Sequence, residues 1–258
     1  MKILVTNDDG IYAPGLWQLA KKLGEVGTAL IVAPDREQSG VGTSVSLHHP
    51  LRISRVKSPI KDIEAYSVEG TPSDSVILAI KFLAKDEIDL VISGINEGPN
   101  IGNDIFISGT VGAALQGYFH EIPSLAISIN AHKDLHFNAA TKLASLLADK
   151  VKDGTLPRGI YLNVNLPNLP AEKIEGIEIT KLAEQSYTGT IQQGHDGRRE
   201  YYWIERSKPQ WHVKTGTDIW ALELNRISIT PLPSNPDASI NSTLKEVAST
   251  LFQELLTR

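Results

Sequence analysis

The chain alternates short continuous apolar runs with helix-like segments, and this alternation constrains its fold more than any other feature. Ile3–Val5 is predicted to be a short buried strand, and Thr28–Ala33 is a second apolar run, which Pro34 closes. Between them, Pro14-Gly15 opens a segment whose apolar residues recur three and four positions apart, as on one face of a helix. Apolar strands separated by amphipathic helices are typical of a parallel sheet that is covered on both faces.

The same alternation continues along the chain. Thr71 is placed to cap a helix that has Pro72 in its first position and Asp74 in its first turn. A strand is predicted at Asp89–Ser93, a capped helix after Ser108, another strand at Ser124–Ile129 and another helix at Asn138–Lys150.

The character of the sequence changes after Asp153, where Gly, Pro and charged stretches separate the apolar segments. The predicted elements of this part are strands at Ile160–Leu166, Ile177–Leu182, Tyr201–Ile204 and Ile227–Thr230, an extended hairpin over Gly189–Gly197, and a terminal helix at Leu244–Leu255. We therefore predict a core over residues 1–150 and a less regular extension over 151–258.

Composition excludes several classes of function. A length of 258 residues with 41% hydrophobic residues provides ample material for a core. A net charge of −5 gives no support for binding a nucleic-acid polymer, which normally requires a basic patch. The absence of cysteine excludes disulfides, thiolate metal sites and cysteine nucleophiles. No apolar stretch is long enough to cross a bilayer and no signal peptide is recognisable, so we expect a cytoplasmic protein without a membrane partner.

Two adjacent carboxylates follow the first apolar run. The segment Thr6-Asn7-Asp8-Asp9-Gly10 continues directly from that run, where the first strand is expected to end. Two like charges this close raise each other's pKa and repel unless a positive charge neutralises them. Gly10 can take the positive φ that would let both carboxylates reach one point, which suits a hard divalent cation. An Asx turn with both carboxylates in water explains the same residues.

Further polar residues are predicted to reach the same edge of the sheet. Ser39 lies in the Gly/Ser-rich segment after the second strand, and Asn96 lies in the loop predicted after Asp89–Ser93. Ligands of open α/β sheets bind outside the carboxyl ends of the strands, where these residues and the two aspartates would meet. Two carboxylates, a hydroxyl and an amide oxygen suit magnesium or manganese better than zinc, and four protein ligands leave positions for water and substrate.

Ser108, Gly109 and Thr110 open a predicted helix in the same region. The free N–H groups and the positive dipole end of a helix N-terminus favour an anion such as phosphate. A plain N-cap role for Ser108 explains the serine equally well. No Walker lysine is present, so a phosphate site here would not be that of a P-loop NTPase.

The histidines and the aromatic residues fit no ligand pattern. His132 and His136 are four residues apart but lack the glutamate of a zincin motif, and we interpret all seven histidines as surface or packing residues. The aromatic cluster of Tyr201, Tyr202, Trp203 and Trp211 could stack a base, but a subunit interface is the favoured interpretation.

Taken together, these motifs resemble the survival protein SurE family of metal-dependent 5'/3'-nucleotidases. The resemblance rests on the order and spacing of Val5–Gly10, Val32–Arg36 with Ser39-Gly40, Gly70–Pro72, Ser93–Asn96 with Gly98 and Asn100, Ser108–Val111, Gly216–Asp218 and Ser228–Leu232. The sequence departs from the family pattern at Ile107, where an aromatic residue often precedes the serine, at Ser75, and at Asn225-Arg226. The change at Ile107 concerns the pocket wall and hence substrate preference.

The resemblance implies a Rossmann-like α/β core with a C-terminal β-hairpin and a helix that is exchanged between the subunits of a homodimer or homotetramer. It implies one divalent ion per subunit, Mg or Mn, held by Asp8, Asp9, Ser39 and Asn96. The implied reaction is hydrolysis of nucleoside 5'- and 3'-monophosphates to nucleoside and phosphate, and in some members hydrolysis of short polyphosphate.

We expect the catalytic residues to be Asp8, Asn96 and Ser108, with the substrate phosphate bound by Ser108, Gly109 and Thr110. Asp8 could be a metal ligand, a base or a nucleophile. The aspartyl-phosphate route of haloacid dehalogenases is disfavoured, because its nucleophile position would fall on Asn7. Two other functions stay open: a metal-dependent phosphatase for sugar phosphates or polyphosphate, and a nucleotide sensor without catalysis.

Overall fold

The computed structural model describes residues 1–85, 87–186, 189–206, 210–211, 213–232 and 238–257. The strands are β1 (Lys2–Thr6), β2 (Thr28–Pro34), β3 (Ile53–Val56), β4 (Glu64–Val68), β5 (Leu90–Glu97), β6 (Ser124–Asn130), β7 (Tyr161–Pro167), β8 (Ile177–Ile179), β9 (Gln185–Ser186), β10 (Gly189–His195), β11 (Glu200–Arg206), β12 (Gln210–Trp211) and β13 (Ile227–Pro231). The α-helices are α1 (Pro14–Leu23), α2 (Pro72–Leu78), α3 (Gly109–Phe119), α4 (Phe137–Lys152), α5 (Asp218–Glu223) and α6 (Ala238–Thr257).

Within the described residues, one sheet contains nine strands in the order β3-β4-β2-β1-β5-β6-β7-β13-β8. The six strands from β4 to β7 in this order are mutually parallel, whereas β3 and β13 run antiparallel to the parallel block. The predicted mostly parallel α/β sheet is thus confirmed. Because β1 lies in the middle of the parallel block, its carboxyl end is flanked by the ends of β2 and β5.

The central strands are largely apolar because helices cover both faces of the sheet. In β1, Ile3 and Val5 belong to the core beneath α1, α4 and α6, whereas Leu4 packs with Val76 and Ile80 on the opposite face. Alternate side chains of a strand point to opposite faces, so both sets of side chains in such a strand are buried. The buried polar residues of these strands, such as Asn163 and Asn165 of β7, are the exception.

Three strands after residue 150, β7, β8 and β13, belong to the same sheet as the strands before it, whereas β9 to β12 form two separate pairs. β7 pairs with β6, and β13 pairs with β7 and β8. Helix α6 packs against α4 of its own chain, where Leu251 and Leu255 are fully buried and Lys150 forms an ion pair with Glu254 at 3.1 Å. The division at residue 150 and the exchange of the last helix between subunits stay predictions.

The predicted hairpin is formed by β10 and β11, which pair antiparallel from Gly189 with Arg206 to His195 with Glu200. Tyr201, Tyr202 and Trp203 are exposed on it, at 46%, 58% and 63%. The side chain of Trp211 lies outside the described part of the chain. Exposed aromatic residues suit the predicted subunit interface, which stays a prediction.

The bounds of β5 correct one sequence-based expectation. The strand was predicted to end at Ser93, with Asn96 in the loop beyond it, but it continues to Glu97. Its register with β6 shifts between Ser93 and Asn96, after which Asn96 pairs with Ser128. Gly94 makes this path possible, because its φ is +142° and a Cβ there would collide with the carbonyl oxygen of Ile127. Asn96 is therefore held by a sheet ladder.

Helix α2 begins with the predicted cap, extended to a full capping box. The Asp74 N–H donates to the Thr71 hydroxyl at 3.1 Å, and the Thr71 N–H donates to the Asp74 carboxylate at 2.9 Å. The same carboxylate accepts from the N–H and the hydroxyl of Ser46 at 2.9 and 2.7 Å. The cap therefore also fixes the Gly/Ser-rich segment that follows β2.

Thr71→Val retains the shape of the side chain and removes the hydroxyl from this cap. Since loss of a Ser/Thr cap typically costs about 1–2 kcal/mol, we expect the free energy of unfolding to decrease by that amount in urea titrations. Thr28→Val, at the exposed start of β2, is the matched control and should leave stability within about 0.5 kcal/mol. Equal stability of the two variants would contradict this role of the cap.

Candidate functional site

The turn after β1 is built by Asn7 and Gly10. The Asn7 side-chain oxygen accepts from the Gly10 N–H at 3.2 Å, and its amide donates to the Gly10 carbonyl at 3.1 Å. Gly10 has φ +96°, a conformation that favours glycine. The Gln38 N–H donates to the carbonyl of Asp8 at 2.7 Å, so the segment after β2 closes over the turn. The Asx turn is thus formed by Asn7, whereas the alternative interpretation places it at the aspartates with both carboxylates in water.

Asp8 is only 4% exposed and is held by the start of α3. The Thr110 hydroxyl donates a short hydrogen bond to its Oδ1, and a Cβ on Gly109 would lie 2.8 Å from the Asp8 Cβ. Burial raises the pKa of Asp8, hydrogen bonds from the Thr110 side chain and backbone lower it, and the negative charge of Glu37 raises it again. The fold thus fixes this carboxylate in an environment that disfavours its charge.

The charged form of the Asp9 carboxylate is also disfavoured by its surroundings. Its burial, followed by the charges of Asp8, Glu97 and Glu37, raises its pKa to about 7. Its Oδ2 is buried and, within the described residues, has no hydrogen-bond partner. A buried carboxylate oxygen without a partner costs free energy that a bound cation would recover.

Ser39 and Asn96 bring two neutral oxygens to the same cleft. The Ser39 hydroxyl donates to Glu37 at 2.7 Å, which leaves its lone pairs free to accept or to coordinate. The Asn96 amide donates to the Gly98 carbonyl at 2.7 Å, and this bond fixes which end of the amide is the oxygen. Both side chains can thus present oxygen to a ligand.

Ser108 is the N-cap of α3. Its side chain accepts from the Val111 N–H at 3.1 Å, and its carbonyl accepts from Gly112 at 3.0 Å. The N-cap interpretation is therefore correct in the structure, and the serine also lines the cleft. Gly109 and Thr110 begin the helix directly over Asp8. The phosphate role of these three residues stays a prediction.

The cleft that contains these groups has a volume of about 160 Å³. Its lining residues are Asp8, Ser39, Gly40, Asn96, Glu97, Gly98, Pro99, Asn100, Asp104, Ile107, Ser108 and His132. Three are acidic, and His132 is the basic one. The structure thus brings together at this cleft four of the sequence-predicted residues, Asp8, Ser39, Asn96 and Ser108. Asp9 is the next residue along the chain after Asp8.

The donor set fits a hard divalent cation. In the described part of the chain, no three His, Cys, Asp or Glu side chains converge as a metal site. The candidate ligands are instead two carboxylates whose charged form is disfavoured and two neutral oxygens. This combination suits magnesium or manganese. The partnerless Oδ2 of Asp9 and the raised pKa of both aspartates are the observations that support this fit.

The loop that follows Asn96 is held by residues of the C-terminal half. The Asn163 and Asn165 amides of β7 donate to the Asn100 carbonyl at 2.7 and 2.9 Å, and the Asn100 N–H donates to Asn165 Oδ1 at 2.8 Å. Asp218, fully buried at the start of α5, accepts from the Gly102 N–H at 2.7 Å and from two other backbone N–H groups.

Sequence reasoning missed Glu37, Glu97, Asp104 and His132. His132 is exposed, as a surface interpretation requires, but it also lines the cleft. It follows β6 by two residues, so the rule that selected Asp8, proximity to the carboxyl end of a parallel strand, could have found it. The three acidic residues carry no comparable signal, because charged residues in loops are common.

Fold and site define a doubly wound α/β protein with an acidic, oxygen-rich cleft at the carboxyl edge of its sheet. The model of the survival protein SurE family matches residues 3–189. A protein of Dehalococcoides mccartyi, strain CBDB1, named 5'-nucleotidase SurE, is 47% identical over 234 residues, which cover 90% of this chain and 88% of the relative. The 5'-nucleotidase SurE of Geobacter sulfurreducens is 46% identical, covering 90% and 87%.

A solved structure agrees with these matches. The crystal structure of the SurE protein from Aquifex aeolicus superposes with a TM-score of 0.77 and 36% identity, covering 96% of this chain and 99% of that one. The chain therefore belongs to the survival protein SurE family, which confirms the resemblance given by its motifs. The described helices include none that is long and apolar enough to cross a membrane.

Asp9→Asn should stabilise the metal-free protein. The folded state holds the proton of Asp9 more tightly than the unfolded chain, so stability falls as the pH rises from about 4 toward 7. We expect the variant to gain on the order of 2 kcal/mol at pH 8 in EDTA and clearly less at pH 5, measured by denaturant unfolding. Asp134→Asn, an exposed control, should show no such pH-dependent gain; a destabilised Asp9→Asn protein at pH 8 would contradict the account.

Asp218→Asn should destabilise the protein, because one carboxylate oxygen is replaced by an amide NH2 group, which cannot accept a hydrogen bond from a backbone N–H. We expect a loss of about 2 kcal/mol in the free energy of unfolding. The control is Asp196→Asn, an exposed carboxylate that accepts from the N–H groups of Arg198 and Arg199, which should cost less than about 0.5 kcal/mol. Equal losses would show that burial of the Asp218 bonds is unimportant.

Proposed function

We propose that this protein hydrolyses nucleoside 5'- and 3'-monophosphates to nucleoside and phosphate, and that the reaction requires one divalent cation per subunit. The protein belongs to the enzyme class of its curated relatives, the 5'-nucleotidases, which are phosphoric monoester hydrolases. The observation that carries the metal requirement is the pair of adjacent carboxylates at the end of β1, Asp8 buried and Asp9 half-buried, whose pKa values are both raised.

The cation would be held by Asp8, Asp9, Ser39 and Asn96. When bound, a divalent cation supplies Lewis-acid chemistry for phosphate ester hydrolysis and cancels the charge of the two carboxylates. Two hydrogen bonds support this role, because Thr110 fixes the Asp8 carboxylate and the Gly98 carbonyl fixes the Asn96 amide. Asp8 acts as a ligand in this proposal, since its Oδ1 is engaged by Thr110.

The phosphate group would lie against the first turn of α3. The N–H groups of a helix N-terminus and the positive end of its dipole stabilise an anion without a basic side chain. Ser108 lines the cleft, while Gly109 and Thr110 place the helix start on Asp8. Positioning and charge stabilisation supply most of the acceleration of a loose phosphoryl transfer.

The size of the cleft indicates where the nucleoside part of the substrate would lie. A volume of about 160 Å³ holds a phosphate group and an ion, whereas pockets that enclose whole drug-sized ligands are typically about 300–1,000 Å³. The nucleoside would therefore extend toward the mouth of the cleft. Hydrolysis of short polyphosphate, the choice of Mg or Mn, assembly as a homodimer or homotetramer and a cytoplasmic location stay predictions.

The test is phosphate release from a panel of 5'- and 3'-nucleoside monophosphates with manganese, with magnesium and with EDTA. We expect release with metal, loss in EDTA, and at least a 10²-fold lower kcat, as an order of magnitude, for Asp8→Asn. Asp134→Asn, an exposed carboxylate outside the cleft, should retain the activity of the parent.

Absence of release with either metal, from protein shown by circular dichroism to be folded, would contradict the proposal. Binding of nucleotides without turnover would favour a sensor, and turnover of sugar phosphates alone would favour a different phosphatase.

A further inference from the structure

His132 lies at the catalytic cleft although no metal or phosphate role is assigned to it. It follows the carboxyl end of β6, is exposed to solvent and lines the same cleft as Asp8, Asn96 and Ser108. Its imidazole packs on the α-carbon of Gly98, where a Cβ would collide with the ring. Gly98 has φ +110°, so a side chain is disfavoured there on conformational grounds as well.

Hydrolysis of a nucleoside monophosphate requires a proton donor for the leaving group. The leaving group is a sugar alkoxide, which is strongly basic and needs a proton as the bond to phosphorus breaks. The other lining residues of the described cleft are three carboxylates, two amides, two serine hydroxyls and apolar or glycine positions, so His132 is its one imidazole. Imidazole is the side chain most often used as a general acid near neutral pH.

We propose that His132 is the general acid that donates a proton to the leaving nucleoside oxygen. This inference rests on the proposed nucleotidase function and adds a catalytic residue to it. The His132 ring lines the same cleft as Asp8, Ser39 and Asn96, the proposed cation ligands, beside which the bond to phosphorus would break.

The step balances without a further reactant. Water forms a new bond to phosphorus while the bond from phosphorus to the nucleoside oxygen breaks, and the electron pair of that bond stays on the nucleoside oxygen. The imidazolium of His132 gives that oxygen its proton. The product leaves first as dihydrogen phosphate, because the attacking water brought two protons, and one of these returns to the imidazole. The net change is ester plus water to nucleoside plus monohydrogen phosphate.

Gly98 couples this acid to the cation site. Its carbonyl accepts from the Asn96 amide, its N–H donates to Ile129 at 3.0 Å, and its α-carbon supports the His132 ring. One residue therefore positions a metal-binding oxygen on one side and the proton donor on the other.

The test compares two leaving groups in His132→Asn. Adenosine 5'-monophosphate leaves as an alkoxide that needs the proton, whereas p-nitrophenyl phosphate leaves as a stable phenolate that does not. We expect kcat for adenosine 5'-monophosphate to decrease on the order of 10²-fold, within the range typical of general acids, and kcat for p-nitrophenyl phosphate to change less than about 3-fold. Affinity for inorganic phosphate, measured by calorimetry, should equal that of the parent.

His136→Asn is the matched control, because His136 is exposed, lies four residues on and does not line the cleft; it should behave as the parent with both substrates. Equal losses on the two substrates in His132→Asn, or no loss on either, would overturn the general-acid role while leaving the nucleotidase proposal intact. A parent protein inactive on all nucleotides would overturn the proposed function itself.

Discussion

The structure depends on the placement of two like charges at the buried end of its central strand. Asp8 and Asp9 follow β1, which has neighbours on both sides and helices on both faces, so Asp8 is buried and Asp9 is half-buried. Burial disfavours the charged form of both carboxylates, and the charges of Glu37 and Glu97 add to the cost at Asp9. Folding alone does not require this electrostatically unfavourable pair of carboxylates. The pair is therefore the strongest indication of function in the structure.

The rest of the fold keeps this turn from relaxing. The backbone of Gln38 closes over Asp8, and Asp74 ties the segment beyond it to the start of α2. From the other side, Asn163 and Asn165 hold the Asn100 backbone, and Asp218 holds that of Gly102. Residues separated by more than 60 positions therefore determine the shape of one cleft, and the C-terminal strands contribute to the site without lining it.

The sequence predicts correctly those elements whose stabilising contacts lie within a few residues or follow from burial of an apolar run. Ile3–Val5 and Thr28–Ala33 lie within β1 and β2, because burial on both faces favours a continuous apolar run. The Thr71 cap is predicted correctly, since both capping-box bonds join Thr71 to Asp74, three residues away. Asn96 was placed in a loop, because β5 continues past Gly94 only through its register shift with β6, which a single strand does not reveal.

The edge strand β3 and its neighbour β4 were not predicted, because exposed and half-buried residues interrupt any continuous apolar run in them. Sequence reasoning also recognised Gly216–Asp218 as a motif but could not assign Asp218 its partners, which are 35 and 116 residues away. Sequence spacing gives His132 no role, because its neighbours in the cleft come from distant segments, at or after the ends of β1, β2 and β5.

Anomalous diffraction from crystals soaked in manganese tests the central claim most directly. The account predicts one peak in the cleft, within coordination distance of oxygens from Asp8, Asp9, Ser39 and Asn96, and its loss in crystals of Asp9→Asn. A cleft without a peak at saturating manganese, or a peak that persists unchanged in the variant, would contradict the account that the strained carboxylate pair is a cation site.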